Sequence, residues 1–305
     1  MRMTNDGPGR LGGSVMLGGR RVRRIGYGAM QLEHLDRAGA TQLLRRAIEL
    51  GVDHIDTASF YGDATVNEYI RAALHPYPDD LVIVSKVGAR IDDARTSDGR
   101  IPLAAAQRPE ELREQVHLDL QTLGLEQVPV VNVRRLDRPP GILAEGDQVV
   151  PLDDQLAELI AMRDDGLVGA IGLSNVNADQ VRQAMPAGIA CVQNSHNLLD
   201  RSGEDVLALC ARNDIAWVPY MPLGSAFERI PSPADDPLVQ AVAAEAEASA
   251  TVVALAWLLA RDPHVALIPG TRSVEHLEEN LAAGSLRLTP DQLARLDALG
   301  SVAPS

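Results

Sequence analysis

The chain has 305 residues, of which 46% are hydrophobic and 23% charged, an ordinary globular composition at a length that favours one large domain over two. Its net charge of −14 argues against a nucleic-acid partner, because no basic excess is available to displace counterions from a polyanion. Aromatic residues make up only 3%, so the core is expected to be built from Val, Leu, Ile and Ala.

Residues 1–13 are rich in Gly and Arg without periodicity and read as a flexible leader, leaving 14–305 as one domain. Residues 15–17, Gly18-Gly19 and residues 22–25 predict a hairpin capping one end of it. Residues 26–30 read as a first strand running into a loop where backbone can approach a ligand. Helical periodicity over 38–50 ends at Gly51, and a short buried strand over 52–55 stops at Asp56, with Tyr61 close behind. A helix near 66–74 precedes an apolar strand over 81–86 that ends on Lys86. After a polar loop over 90–108, a helix over 109–123 leads to a strand over 128–133 that ends at Arg134. The unit recurs as helix and strand pairs at 156–165 and 168–173, 178–185 and 189–192, 204–212 and 215–218, and 251–260 and 265–268, with a closing helix over 291–299.

Continuous apolar strands alternating with helices imply parallel βαβ units, and eight of them imply a closed (β/α)8 TIM barrel, an α/β fold, with an N-terminal β-hairpin cap. The alternative, an open doubly wound sheet, more typically carries GxGxxG after its first strand, and Gly26-Tyr27-Gly28 lacks the third glycine. Polar residues follow six consecutive strands: Asp56, Lys86, Arg134, Ser174 with Asn175, Gln193 with Asn194, and Tyr220. In a parallel barrel all these ends share one face, so they read as a pocket. No run of about 18 apolar residues free of charge and no signal-peptide core is present, so no membrane partner and a cytoplasmic setting are expected. Cys191 and Cys210, each in an apolar run, read as buried reduced thiols. The seven histidines are dispersed, and no metal site is expected.

The motifs HIDTASFYG, VSKVG, IGLSNV and IPGTRSVEHLEEN, in this order, resemble those of the aldo-keto reductases, and the resemblance runs from about residue 22 to 299. A nearer resemblance, through GYGAMQL, ALAWLL and an arginine where most members have histidine, is to a bacterial branch that includes a pyridoxal reductase. The resemblance implies an NADP-dependent oxidoreductase reducing an aldehyde or ketone, a small-molecule carbonyl partner, with Tyr61 as proton donor. A tyrosine's ordinary pKa of about 10 calls for a neighbouring cation, Lys86, itself held by Asp56. Arg134 would orient and polarise the carbonyl or bind an anionic or phenolate-bearing substrate. The competing reading of Arg134 is an ion pair with Asp137 or Glu33.

For the cofactor, NADPH/NADP+, the resemblance implies Ser174, Asn175 and Gln193 at the carboxamide and Tyr220 on the nicotinamide ring, with Gly28, Met30 and Asp56 lining the same space. Met221, Pro222, Leu223, Gly224 and Ser225 would follow the pyrophosphate. In the segment opening at Ile268, Gly270 lets backbone approach closely, Thr271, Arg272, Ser273 and His276 suit a ribose 2′-phosphate, and Glu279 and Asn280 suit adenine. Arginine's fit to phosphate favours NADPH over NADH, unless Arg272 merely covers surface. Pyridoxal or another aromatic aldehyde is the leading substrate, a keto-sugar or other secondary-metabolite carbonyl the runner-up. A non-catalytic NADPH-sensing subunit resembling potassium-channel β-subunits is the reading from another class. The sequence leaves a homo-oligomer open. The short stretch after residue 299 is expected to leave one side of the pocket open to a polar or bulky substrate.

Overall fold

The computed structural model describes residues 11–92, 103–139, 141–224 and 231–301. Strands β1 (Ser14–Leu17) and β2 (Arg20–Arg23) form an antiparallel hairpin. Gly18 and Gly19 turn it at φ of 58° and 78°, the left-handed pair that a tight two-residue turn requires. Then follow β3 (Tyr27–Gly28), α1 (Arg37–Glu49), β4 (His54–Asp56), α2 (Thr65–Leu74) and β5 (Val82–Val87). A second small hairpin, β6 (Ala89–Ile91) with β7 (Leu103–Ala105), precedes α3 (Pro109–Leu123) and β8 (Val128–Arg134). The alternation continues through α4 (Leu152–Asp164), β9 (Val168–Ser174), α5 (Ala178–Ala184), β10 (Cys191–Gln193), α6 (Glu204–Ala211) and β11 (Ala216–Trp217). Helices α7 (Pro237–Glu245), α8 (Ala250–Arg261), α9 (Val274–Ala282) and α10 (Pro290–Asp297) complete it.

Seven strands make one parallel sheet in the order β3-β4-β5-β8-β9-β10-β11, which is chain order. A doubly wound sheet reverses its order at a switch point, and this one does not. The eighth predicted strand, 265–268, is not a regular strand. It makes single parallel bridges to both edges, Trp217↔Val265 and Ile25↔Leu267. Ala266 N–H donates to the Trp217 carbonyl at 2.8 Å, and Leu267 N–H to that of Arg24 at 2.7 Å.

Alternate side chains along each strand face opposite ways. One face of the sheet carries Val82, Val84, Val130, Cys191, Ala216 and Val218 into a small inner core, closed at one end by Val15, Leu17 and Val22 of the hairpin. The other face carries Ile55, Ile83, Val131, Ile171 and Leu173 into the larger core under the helices. The hairpin sits at the amino ends of the strands, where Arg23 N–H donates to both carboxylate oxygens of Asp53 at 2.9 and 3.1 Å. The carboxyl ends are left for the site.

Several expectations are corrected by tertiary contacts. The expected leader over 1–13 lies outside the described residues up to 10, but Leu11 is buried in the main core and Gly13 accepts a backbone bond from Arg24, so its last three residues belong to the fold. The polar loop after Lys86 carries the β6–β7 hairpin, too short to show as a periodic signal. The first strand is only Tyr27–Gly28, and Met30 lies in a 3-10 turn over Ala29–His34. Cys191 and Cys210 are buried and unpaired. No single helix among the described residues is long and apolar enough to cross a membrane.

Candidate active site

The inward period of two puts Asp56, Lys86, Arg134, Ser174 and Gln193 on the same face of the sheet as the small inner core, each at the carboxyl end of its strand. Asp56, Lys86 and Arg134 line a cavity of about 320 Å³ together with Gly28, Met30, Tyr61, Tyr220, Ile268 and Gly270. At its heart the Lys86 ammonium, 3% exposed, is ion-paired and hydrogen-bonded to Asp56 Oδ1. It also donates to Tyr61 Oη at 3.0 Å and to the Thr57 carbonyl at 3.1 Å, which uses all three of its hydrogens. Gln193 Nε2 donates to the other Asp56 oxygen at 2.6 Å. Burial works against charge on Lys86, but Asp56 and Tyr61 outweigh it, and the lysine pKa is raised.

Arg134 is half-buried, with its guanidinium 5.8 Å from the centre of the Tyr220 ring. The ion pair read as its alternative is made instead by its neighbour: Arg135 holds Asp137 at 2.8 Å and also donates to Gln155 Oε1 at 2.6 Å. Glu33 accepts from the Gly62 N–H at 3.1 Å. No carboxylate among the described residues pairs with Arg134, and its buried Nε has no partner. Tyr220 lies beside this cation, yet burial outweighs that and raises its phenol pKa.

Met221, Pro222, Leu223 and Gly224 form the cavity wall beyond Tyr220, with Met221 held at φ 55°, a strained value for a side-chain-bearing residue. Ser225 lies outside the described residues. Gln31 and Pro269 also line the cavity and were missed, since a residue inside a 3-10 turn and a proline carry no chemical signal of their own.

Other expected residues are not part of this lining. Ser174 Oγ and Gln193 Oε1 are buried without a partner. The Asn175 amide is already committed, donating to the carbonyls of Arg135 and Arg138 at 3.0 and 2.8 Å, so only its Oδ1 remains for a ligand. Gly28 and Gly270, which do line the cavity, also let their two segments pass closely: a Cβ on Gly28 would lie 2.4 Å from the Ile268 carbonyl oxygen, and one on Gly270 would lie 2.9 Å from that of Gly28. The segment after them turns into α9. Ser273 Oγ caps it by accepting from His276 N–H at 3.1 Å, and Thr271 is buried under a 2.7 Å bond from Tyr27 Oη to its carbonyl. Arg272 and His276 are exposed at this helix start, with Glu279 half-buried and Asn280 buried one turn further on. These residues follow Gly270 along the chain and occupy the start and first turns of α9, outside the cavity lining.

A buried polar layer on the opposite face of the sheet, unforeseen from sequence, supports the same strand ends. Ser85 Oγ donates to Asp119 Oδ2 at 2.7 Å, Asn67 Nδ2 donates to Asp119 Oδ1 at 2.9 Å, and Thr57 Oγ1 donates to Asn67 Oδ1 at 2.8 Å.

The model of the "Aldo/keto reductase family" matches residues 24–301. Pyridoxine 4-dehydrogenase of Escherichia coli (strain K12) is 43% identical over 292 residues, covering 93% of this chain and 96% of that protein. An uncharacterized oxidoreductase of Schizosaccharomyces pombe is 33% identical, covering 94% and 90%. Among solved structures, the thermostable aldo-keto reductase Tm1743 in complex with the inhibitor epalrestat superposes with a TM-score of 0.77 at 27% identity, covering 94% of this chain and 99% of that one. An aldo-keto reductase from Klebsiella pneumoniae in complex with NADPH, 22% identical with a TM-score of 0.77 and 94% of both chains covered, shares the fold.

Proposed function

Because the chain belongs to the aldo/keto reductase family and is thus an oxidoreductase acting on carbonyl groups, we propose that it reduces an aldehyde or ketone with NADPH, using Tyr61 as the proton donor. The observation that carries this reading is the Lys86 ammonium bridging the Asp56 carboxylate and Tyr61 Oη inside the cavity. In this reading the sheet is a closed (β/α)8 barrel and residues 14–305 are one domain. The bridges of Val265 and Leu267 to both edges support that closure.

When bound, the reduced nicotinamide supplies the hydride. The chain's own residues handle the proton and the charge. Tyr61 Oη gives its proton to the carbonyl oxygen, and Lys86, kept charged by Asp56, stabilises the negative charge left on the phenol oxygen. Arg134, a permanent cation beside Tyr220 with no carboxylate partner among the described residues, draws electron density from the carbonyl or holds an anionic oxygen next to it. The unpartnered Ser174 Oγ and Gln193 Oε1 fit a carboxamide, which brings a donor pair and an acceptor. Asn175 contributes through Oδ1. Met221 to Gly224 would follow the pyrophosphate, Ser225 of the same run lying outside the described residues, while Arg272, Ser273 and His276 at the start of α9 would suit a 2′-phosphate.

Pyridoxal is the leading substrate. Its reduction is the reverse of the activity in the name of the 43% identical Escherichia coli protein, and its phenolic oxygen beside the aldehyde suits Arg134. The test is NADPH oxidation with a panel of carbonyls, pyridoxal included, for the wild type and Tyr61→Phe side by side. Turnover on pyridoxal should fall by about 10²-fold or more in the variant. Tight NADPH binding with no turnover on any carbonyl would replace the enzyme reading with that of a nucleotide sensor.

A further inference from the structure

Asp119 is a carboxyl group with no exposed surface, on the buried side of α3 in the layer between the sheet and the helices, where an ionisable group is costly to bury. Burial pushes its pKa up to about 7, a cost only partly offset by the Ser85 and Asn67 hydrogen bonds and by the Lys86 charge. A group this costly holds something in place. Its two oxygens accept from Ser85 on β5 and Asn67 on α2, and Asn67 in turn accepts from Thr57.

Ser85 and Thr57 are each one residue from a member of the cavity trio, Lys86 and Asp56. The period of two therefore points their hydroxyls outward where Lys86 and Asp56 point inward. Pulling on the outward hydroxyl fixes the inward side chain. Thr57 is tied in twice more: its carbonyl accepts from Lys86 Nζ at 3.1 Å, and its N–H donates to the Val84 carbonyl at 2.8 Å. Asp119 thus joins the ends of β4 and β5 from behind, at the place where the spacing between Asp56, Lys86 and Tyr61 is set.

We propose that Asp119 is a positioning residue for the Lys86–Tyr61 hydrogen bond, acting through Ser85 on one strand and through Asn67 and Thr57 on the next. The inference rests on the reading of Tyr61 as proton donor, so Tyr61→Phe is the control in every experiment. Asp119→Ala, Asp119→Asn and Ser85→Ala would be compared with the wild type in turnover of the best carbonyl of the panel, in NADPH affinity by fluorescence titration, and in crystal structures. Asp119→Ala should lower kcat about tenfold, in keeping with the cost of a misplaced reacting group, with KM and NADPH affinity nearly unchanged. Asp119→Asn keeps the shape and can still link Ser85 to Asn67, so it should restore most of the lost kcat. In the crystals, the Lys86 Nζ to Tyr61 Oη contact should open in the alanine variant and persist in the asparagine variant.

A wild-type kcat in Asp119→Ala would overturn the proposal, whether or not its melting temperature fell, and so would an undisplaced trio in its crystal structure. Should Asp119→Ala fail to fold, Ser85→Ala and Thr57→Val each cut one arm. Unchanged kcat and an unchanged trio in both would overturn it equally. Full turnover in Tyr61→Phe would instead overturn the proton-donor reading itself, while the crystal distances would still decide whether Asp119 sets the trio.

Discussion

Adjacent arginines show how much hangs on one residue of register. Arg134 and Arg135 are chemically identical in the sequence, and either suits Asp137. The strand's alternation separates them, sending Arg134 into the cavity and Arg135 outward to Asp137, Gln155 and the Val150 carbonyl. Their substitutions should therefore behave differently. Arg134→Ala is expected to leave thermal stability close to wild type and to lower kcat/KM by on the order of 10²-fold for carbonyls with an adjacent anionic oxygen, with a smaller loss for neutral ones. Equal losses on both substrate classes would count against a substrate-binding role. Arg135→Ala should spare the chemistry but cost about 2 kcal/mol in denaturant unfolding, because it strands the buried Gln155 oxygen. The polar residues at the six strand ends were legible in the sequence, since each follows an apolar run. Which of them keep free hydrogen-bonding capacity was not. Asn175 looks equivalent to Ser174 as a ligand until its amide is seen bonded to two carbonyls from the turn after β8.

At the scale of elements, the helices that alternate with strands were found from periodicity, but the additional helices α7 and α9 and the small β6–β7 hairpin were not. The β6–β7 hairpin contains too few residues for any period to register, whereas residues 265–268, read as a strand from their apolar run, make only single bridges to the two edges. The meeting of β3 with the loop after Ile268 rests on glycine, because backbone passes backbone there without room for a methyl group. Gly28→Ala would place Cβ 2.4 Å from the Ile268 carbonyl oxygen. One of the two segments must shift, and a loss of about 1–3 kcal/mol is expected in thermal or urea unfolding. NADPH affinity should fall as well, since both segments line the cavity. Unchanged affinity in a destabilised variant would show that the strand junction and the cofactor site are independent.

Across the whole molecule, two buried groups tilt stability against pH in opposite directions. His196 has no exposed surface, stacks on Trp257 with its edge toward Trp217, and has no partner for either ring nitrogen. Burial brings its pKa down to about 4. The unfolded chain takes up a proton at His196 as pH falls through about 6.5, while the folded chain resists until near 4, so this residue costs stability as pH drops across that window. Asp119 acts the other way. Its unfolded form releases a proton near pH 4 and its folded form only at about 7, so it costs stability as pH rises across nearly the same window. His196→Phe should keep the aromatic packing, match the wild type near neutrality, and become relatively more stable toward pH 4, by on the order of 3 kcal/mol. Urea midpoints across that range would measure it, and a constant offset between the two proteins would show that His196 is not buried in its neutral form.

Hydrophobic period and residue type are local properties, so the alternation of apolar strands with helices, the hairpin before them and the chemistry waiting at the strand ends can be read along the chain. The sequence also carried the family resemblance, through motifs such as HIDTASFYG that keep their spacing along the chain. Tertiary structure alone decided what faces what. It brought Lys86 between Asp56 and Tyr61, gave Asp137 to Arg135, occupied the Asn175 amide, and placed Asp119 behind strands far from it in sequence. Those pairings depend on the relative placement of separate strands and helices, which is fixed by packing across the two cores and has no signature in any single stretch of chain.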